Sequence, residues 1–183
     1  MLSLTTAFVA TAFALVAKIV ADQWNRHSDR RSIAGALAGE VSAYMKQLDP
    51  LKFANNFRKI AESDEISRRR CLRSLPKTPS GHPVFDKVAD KIGLLPAAEA
   101  EEISSFYNVI TGFRVLVSGL SDDRFVTADG EVQIALLNTI ADKICEETTN
   151  VPELIDRLRE ISTQTFWQSL RSREESRPRT LTK

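Results

Sequence analysis

The residues that follow Met1 are almost uninterruptedly apolar, and this run constrains the chain more than any other feature. Residues 2–21 read LSLTTAFVATAFALVAKIVA and contain one charge, Lys18, and neither Gly nor Pro. Twenty helical residues extend about 30 Å, the thickness of one bilayer hydrocarbon core. Trp24 follows the run where an interfacial aromatic residue is expected. The run therefore predicts a transmembrane anchor over residues 1–21.

Two other interpretations of the run stay open. A cleaved signal peptide, which would leave a secreted or periplasmic helical protein, needs a basic region before the apolar one, and no Lys or Arg precedes Leu2. Ala12-Phe13-Ala14 offers a small-x-small cleavage signal, but it would leave a very short apolar region. A buried core helix would need protein on every side, because the run is apolar all round.

The flanking charges predict the orientation of the anchor. The basic residues near the run are Lys18, Arg26, Arg30 and Arg31, against Asp22 and Asp29. Because basic loops stay on the cytoplasmic side, we expect an inner (cytoplasmic) membrane protein that crosses once and has its C-terminal domain in the cytoplasm. Cys71 and Cys145 fit this side of the membrane, where thiols stay reduced, and two cysteines exclude a disulfide-dense secreted scaffold.

Beyond the anchor, apolar residues recur at steps of three and four, the pattern of amphipathic helices. A first stripe predicts that the anchor continues as a juxtamembrane helix over residues 22–49, which Asp49-Pro50 ends. We expect residues 50–170 to form a bundle of four or five helices, interrupted by a Pro-rich loop at 74–83, and residues 171–183 to form a flexible polar tail. The fold class is therefore all-α. The main stripes are Ile33, Leu37, Val41, Tyr44 and Leu48; Phe53, Phe57 and Ile60; Ile103, Phe106, Ile110, Phe113, Val117 and Leu120; Val132, Leu136, Ile140 and Ile144; and Leu154, Leu158 and Ile161.

Three short segments resemble a pattern in an uncharacterised family of bacterial single-pass membrane-anchored helical proteins. They are the Glu-x-x-x-Tyr segment at Glu40 and Tyr44, the stretch 83–96 that reads PVFDKVADKIGLLP, and the aromatic pair Phe106-Tyr107. The resemblance implies a single N-terminal span followed by helices, and it implies no activity. A plain structural role is also open for these residues, with Gly93 predicted as a left-handed helix C-cap.

Motifs that carry chemistry are absent from the sequence. There is no phosphate-binding loop, dinucleotide fingerprint, serine-hydrolase elbow or HExxH motif, and neither His27 nor His82 has a metal ligand at suitable spacing. Cys71 follows three arginines, but a half-buried helix cysteine explains it equally well. We therefore assign no catalytic, cofactor-binding or metal-binding residue, and expect no cofactor.

Charge is unevenly distributed in a chain whose 25 Lys and Arg nearly balance 24 Asp and Glu. Residues 58–77 are basic, and residues 97–160 are acidic. This asymmetry is typical of a solvated or internally paired face, or of a basic face toward anionic lipid. Nucleic acid is a less favoured partner, because the cluster contains no aromatic residue. The candidate lipid contacts are Arg26, Arg30, Arg31, Arg68, Arg69, Arg70 and Arg73.

The function that these features favour is binding rather than catalysis. We expect a membrane-anchored protein that acts through an unidentified protein partner or through self-association. Alanines at positions 7, 10, 14, 17 and 21 share one face of the anchor, and small faces let transmembrane helices approach closely. The alternative is a membrane-surface enzyme or a lipid-interacting protein, and a deep pocket between helices would favour it.

Overall fold

The structure of the protein, a computed structural model, is all-helical over the residues that it describes, which are 2–75 and 81–175. Side chains are described for residues 11–75, 81–169 and 171. The predicted all-α class is confirmed, and no strand occurs in these ranges. Part of the predicted Pro-rich loop, most of the predicted tail (176–183) and the side chains of Ala7 and Ala10 lie outside the described residues.

The described ranges contain more helices than the four or five predicted after residue 49. Residues Ala89–Leu94 form a 3₁₀ helix that continues the short α4. The bounds are α1 Leu2–Leu48, α2 Pro50–Glu62, α3 Glu65–Arg73, α4 Phe85–Val88, α5 Ala97–Leu120, α6 Asp123–Val126, α7 Gly130–Thr148, α8 Val151–Thr163 and α9 Phe166–Glu175.

Local capping explains where the helices are interrupted. Asp49 ends α1 in a left-handed conformation, with φ of 37°, and its carboxylate accepts the Lys52 N–H at the start of α2. Asp64 accepts the Ser67 N–H, which makes the polar trio at 63–65 a boundary between α2 and α3. The sequence left that boundary open, and the structure places a break there.

The last predicted helix is in fact two helices. Gln168 accepts the N–H of Thr165 at 2.9 Å, and the Thr165 hydroxyl accepts the N–H of Gln168 at 3.4 Å. This reciprocal pair is a capping box, which begins a new helix, α9, at Phe166. The helix extends to Glu175, so residues 171–175, the first part of the predicted tail, are helical.

The predicted left-handed cap at Gly93 is wrong. Gly93 lies within the 3₁₀ helix, and Gly81 is the glycine with positive φ among the described residues. The 3₁₀ helix ends instead at Leu95, which is extended and donates its N–H to the carbonyl of Ile92.

Two hydrophobic cores share helix α5. The first packs the second half of α1 against α8 and the N-terminal half of α5, and the second packs α2 and α3 against α7 and the C-terminal half of α5. The predicted α5 stripe therefore lies at the centre of the bundle, as its regularity suggested. The buried members of this stripe are Ile103, Phe106 and Ile110 in the first core and Val117 and Leu120 in the second.

The predicted stripe of α7 is correct in its second half and shifted by one residue in its first half. Ile140 and Ile144 are buried as predicted, but Val132 is 56% exposed, whereas Gln133 and Leu137 are fully buried. A glutamine is not an expected core residue, and the apolar pattern alone therefore began the stripe at Val132. Gln133 is satisfied inside the protein, because its amide donates to the carbonyls of Phe125 and Val126 and its oxygen accepts from Arg68.

The two halves of α1 have opposite environments. Residues 11–20 are exposed throughout, whereas Ile33, Leu37 and Val41 are buried in the first core. The second half of α1 is thus one wall of the bundle. Within the described side chains, one helix, Ala97–Leu120, is long and apolar enough to cross a membrane by length and composition, and it is the helix that both cores share.

Candidate functional site

A cavity of about 660 Å³ lies along α5 where the two cores meet. Ile110 of the first core and Val117 and Ile144 of the second line it, so it is a gap between two packed units. Most of its wall is apolar, and a few polar groups stand on one side. The remaining lining residues are Tyr44, Gln47, Leu48, Pro50, Phe53, Leu75, Gly81, His82, Pro83, Asp86, Phe113, Arg114 and Thr148.

Glu40 of α1 fixes the segment that carries the polar side of this cavity. Its carboxylate accepts the N–H groups of Val84 at 2.9 Å and Phe85 at 3.0 Å, where α4 begins. The Tyr107 hydroxyl donates to the same carboxylate. Burial and this hydrogen bond raise the pKa of Tyr107 well above its usual range, so the phenol stays protonated. The three segments of the sequence pattern thus meet at one point of the fold.

Aromatic rings pack tightly around that point. The rings of Phe85 and Tyr107 stack with centroids 4.1 Å apart, and the His82 and Tyr107 rings pack edge to face with centroids 4.8 Å apart. The centre of the Tyr44 ring lies 5.8 Å from that of His82 and 6.5 Å from that of Phe106. Such contacts fix ring positions, and they hold Tyr44 and His82 at the cavity wall.

Both ring nitrogens of His82 are engaged. Nδ1 lies 3.3 Å from the Tyr44 hydroxyl, and Nε2 lies 3.0 Å from the Thr111 hydroxyl and 3.4 Å from Nη1 of Arg114. A guanidinium can only donate, so we infer that Nε2 accepts and that Nδ1 carries the proton. Burial and the neighbouring Arg114 charge lower the pKa of His82, against smaller opposing effects of Asp86 and Glu40. The imidazole is therefore neutral at pH 7.

Arg114 of α5 brings a positive charge to the cavity wall. Its guanidinium donates to the Gly81 carbonyl at 3.0 Å and to the Tyr44 hydroxyl at 3.2 Å, and it lies 5.4 Å from the centre of the Tyr44 ring. Within the described part of the chain, no carboxylate lies within salt-bridge distance of it. Asp86, the acid among the lining residues, instead accepts the backbone N–H of His82 at 2.9 Å. Arg114 is therefore a half-buried cation whose charge is not neutralised by a direct partner.

Arg68, one of the predicted lipid contacts, is a buried structural residue. It is 5% exposed, and its guanidinium donates to Gln133 at 3.0 Å and to the carbonyls of Ala61 and Ser63 at 3.1 and 2.9 Å. A lipid head group cannot reach a guanidinium that is enclosed in this way. The prediction for Arg68 is therefore corrected: the residue joins α3 to α7 and to the end of α2.

The other three arginines of that cluster lie nearer the surface. Arg69 pairs with Glu65 at 2.6 Å on the same helix, while Arg70 and Arg73 are exposed. In the neighbouring α2, Arg58 pairs with Asp142 of the acidic α7 at 2.7 Å. Part of the charge asymmetry is thus used for pairing within the bundle.

A second hollow, of about 460 Å³, lies between α1 and the segment in which α8 ends and α9 begins. Arg31 lines it and donates to the Ser162 carbonyl at 2.8 Å, Arg30 donates to Gln164 at 3.4 Å, and Arg26 is exposed. His27 is buried there, and its Nε2 makes no hydrogen bond within the described residues. Burial and the charges of Arg31 and Arg30 lower the pKa of His27.

Comparisons with known proteins returned no family model, no curated protein and no solved structure that matches this chain. Within the described residues, no three His, Cys, Asp or Glu side chains are grouped so that they would hold a metal ion. The residues that matter at the cavity, Arg114 and His82, were not singled out from the sequence as site residues. The resemblance pattern, which includes Tyr44, was the signal nearest to them.

Proposed function

We propose that the chain is a single-pass membrane-anchored protein whose helical bundle acts by binding. The observation that carries this proposal is the unshielded first part of α1. All ten side chains at positions 11–20 are exposed, and the large apolar ones among them are Phe13, Leu15, Val16, Ile19 and Val20.

Water is an unfavourable environment for such a segment. Each large apolar side chain gains about 1.5–3 kcal/mol when it leaves water, so five of them favour an apolar surrounding by several kcal/mol. A continuous helix also satisfies its own backbone hydrogen bonds, which a segment in lipid must do. Residues 2–21 of the continuous α1 meet both conditions.

The proposed orientation places the bundle in the cytoplasm, beside the inner membrane. Arg26, Arg30 and Arg31 follow the anchor directly, and anionic head groups attract each such base by about 1 kcal/mol. Arg70 and Arg73 are exposed on α3, and they remain proposed lipid contacts only if α3 also reaches the membrane. Binding to a protein partner or to a second copy is the proposed role of the bundle.

Membrane fractionation combined with protease accessibility tests this proposal. We expect the full-length chain to remain with membranes after a high-salt and alkaline wash, and to be digested in inverted vesicles but not in intact spheroplasts. A variant with Leu15→Asp and Val16→Asp is expected in the supernatant, and Val132→Asp, a matched change at an exposed apolar residue of α7, is expected to leave the distribution unchanged. Recovery of the uncleaved full-length chain from the soluble fraction would contradict the anchor, and a strictly monomeric, partnerless complex in detergent would contradict the binding role.

The cavity favours a second candidate, a lipid-interacting protein. Its volume falls within the range of about 300–1,000 Å³ that is typical of small-molecule sites, and an apolar wall with a few polar groups is typical of them too. Arg114 supplies a cation without a directly paired carboxylate. These two properties suit a ligand with a long apolar chain and an anionic head, such as a long-chain carboxylate.

Photocrosslinking in membranes tests this candidate. Palmitic acid that carries a diazirine in its chain would be added to the full-length protein in lipid nanodiscs, and adducts would be mapped by mass spectrometry. We expect labelling of peptides that contain the cavity residues Phe53 and Ile110, reduced severalfold by Arg114→Gln and unaffected by Arg124→Gln on the exposed surface of α6. Labelling confined to residues 2–21 would reject the cavity as the site while agreeing with the anchor.

A further inference from the structure

Helix α9 is docked on α1 immediately after the apolar segment. The Phe166 ring lies 5.4 Å from the Trp24 ring and 5.6 Å from the His27 ring, centroid to centroid. The capping box at Thr165 and Gln168 sets the start of α9 at this point. The C-terminal helix therefore returns to the level at which α1 leaves its exposed apolar part.

The spacing along α1 gives the depth of this contact. Trp24 lies three residues beyond Ala21, or about 4.5 Å along the helix axis, and His27 about 9 Å. The head-group layer of one leaflet is about 5–8 Å thick, beyond a hydrocarbon core of about 30 Å. If residues 2–21 fill that core, then Phe166 lies at the level of the head groups or at their outer edge.

Two described residues on the outward side of α9, Trp167 and Arg171, are of types that interfacial segments contain. Ser169 is buried toward the bundle, whereas Trp167 is 69% exposed and Arg171 is exposed. Positions 167 and 171 are four residues apart, so they share one face of the helix. Trp24 is also largely exposed, at 57%, and it borders the same hollow as Trp167. Tryptophan and arginine together are typical of helices that lie in the head-group region.

We propose that α9 lies in the membrane–water interface, with the Trp167 indole among the lipid head groups beside Trp24 and Arg171 directed to lipid phosphates. The partner is thus a bilayer surface that contains anionic lipid, and the bundle is held against it at two points, α1 and α9. This proposal rests on the proposed anchor. It assigns the last helix a role that its modest length and polar composition did not indicate.

The two tryptophans of the chain allow a direct test. Full-length protein would be reconstituted in phosphatidylcholine and phosphatidylglycerol vesicles whose lipids are brominated either near the head of the acyl chain or near its end. W167F retains Trp24 alone, and W24F retains Trp167 alone. We expect the shallow bromine to quench each by roughly half and the deep bromine to quench each less, as the depth of an interfacial helix requires. The difference between the unsubstituted chain and W167F reports Trp167 with its neighbour Trp24 in place.

The outcomes distinguish a failure of this proposal from a failure of the anchor on which it rests. Quenching of Trp24 without quenching of Trp167, in both the W24F variant and the difference signal, would overturn the interfacial placement of α9 and leave the anchor standing. Absence of quenching at both would overturn the two together. As a control, Val132→Trp in a chain with both native tryptophans replaced by Phe reports an exposed position of α7, outside the second core, and we expect it to be unquenched.

Discussion

Arg68 and Arg114 are the same residue type in two different settings. Arg68 is enclosed, and its guanidinium donates to one side-chain oxygen and two carbonyls between α2, α3 and α7. Arg114 is half-buried at the wall of the cavity, where it donates to the Gly81 carbonyl and the Tyr44 hydroxyl. Neither has a carboxylate partner in the described part of the chain, but only Arg114 faces open space.

The surroundings of a buried guanidinium indicate whether it contributes to stability or to binding. A guanidinium that is surrounded by protein acceptors holds elements together, and its loss leaves those acceptors unsatisfied. A guanidinium that borders a cavity keeps donors for a ligand. The sequence placed Arg68 in a lipid-binding set and did not single out Arg114, so the roles follow from burial and not from local charge density.

The largest expected effect is that of Arg68→Met. The substitution removes the guanidinium that donates to the Gln133 side-chain oxygen and to two carbonyls. We therefore expect a loss of about 4 kcal/mol in the free energy of unfolding. Urea unfolding of the full-length protein in detergent measures it. Arg70→Met, on the exposed side of α3, is the matched control and should change stability by less than about 0.5 kcal/mol. Equal effects of the two variants would show that Arg68 is not the structural residue described here.

Glu40→Gln sharpens the comparison, because Glu40 lies beside the cavity yet serves the fold. One carboxylate oxygen accepts the Val84 N–H, and the other accepts the Phe85 N–H and the Tyr107 hydroxyl. The amide keeps one of these oxygens and places an NH₂ where the other accepts, so we expect a loss of about 1–2 kcal/mol. Glu101→Gln, at an exposed position of α5, is the control. If Glu40→Gln leaves the free energy of unfolding unchanged and reduces fatty-acid labelling, then Glu40 serves ligand binding and not the fold.

A smaller effect on stability is expected for Arg114→Gln. The hydrogen bonds to the Gly81 carbonyl, the Tyr44 hydroxyl and Nε2 of His82 are lost. The site is half-open to solvent, so the free energy of unfolding should fall by no more than about 1 kcal/mol. The same urea titration measures it. A loss as large as that of Arg68→Met would remove the distinction between the two arginines.

The pH dependence of stability gives the finest test. Burial and nearby arginines lower the pKa of both histidines in the folded state, so the unfolded chain binds more protons as the pH falls below about 6.5, the unperturbed histidine pKa. Stability should therefore decrease between pH 7 and pH 5. His82→Gln and His27→Gln should each flatten part of that decrease in thermal melts. An unchanged slope in His82→Gln would show that the imidazole beside Arg114 does not resist protonation.

Periodicity predicted much of the bundle. The stripes of α1, α5 and α8 were recognisable because their buried positions are apolar and recur at steps of three and four, as Ile33, Leu37 and Val41 do. The first half of the α7 stripe was misplaced because a glutamine occupies a buried position, although Ile140 and Ile144 are buried as predicted. The break before α9 was missed because it depends on a Thr–Gln capping pair. Among the polar groups of the candidate site, only Tyr44 and its pattern partners carried a sequence signal, whereas apolar lining residues such as Ile110 and Val117 belonged to the predicted stripes.

The sequence by itself determined the all-α class, the apolar segment at the start of α1 and the heptad-like stripes, because these depend on side-chain chemistry and local spacing. Tertiary structure alone decided that α5 joins two cores, that Arg68 is enclosed while Arg114 borders a cavity, and that α9 packs beside Trp24. Those facts depend on contacts between residues far apart in the chain, such as the 65 positions that separate Arg68 from Gln133. Local patterns carry no information about which distant surfaces meet.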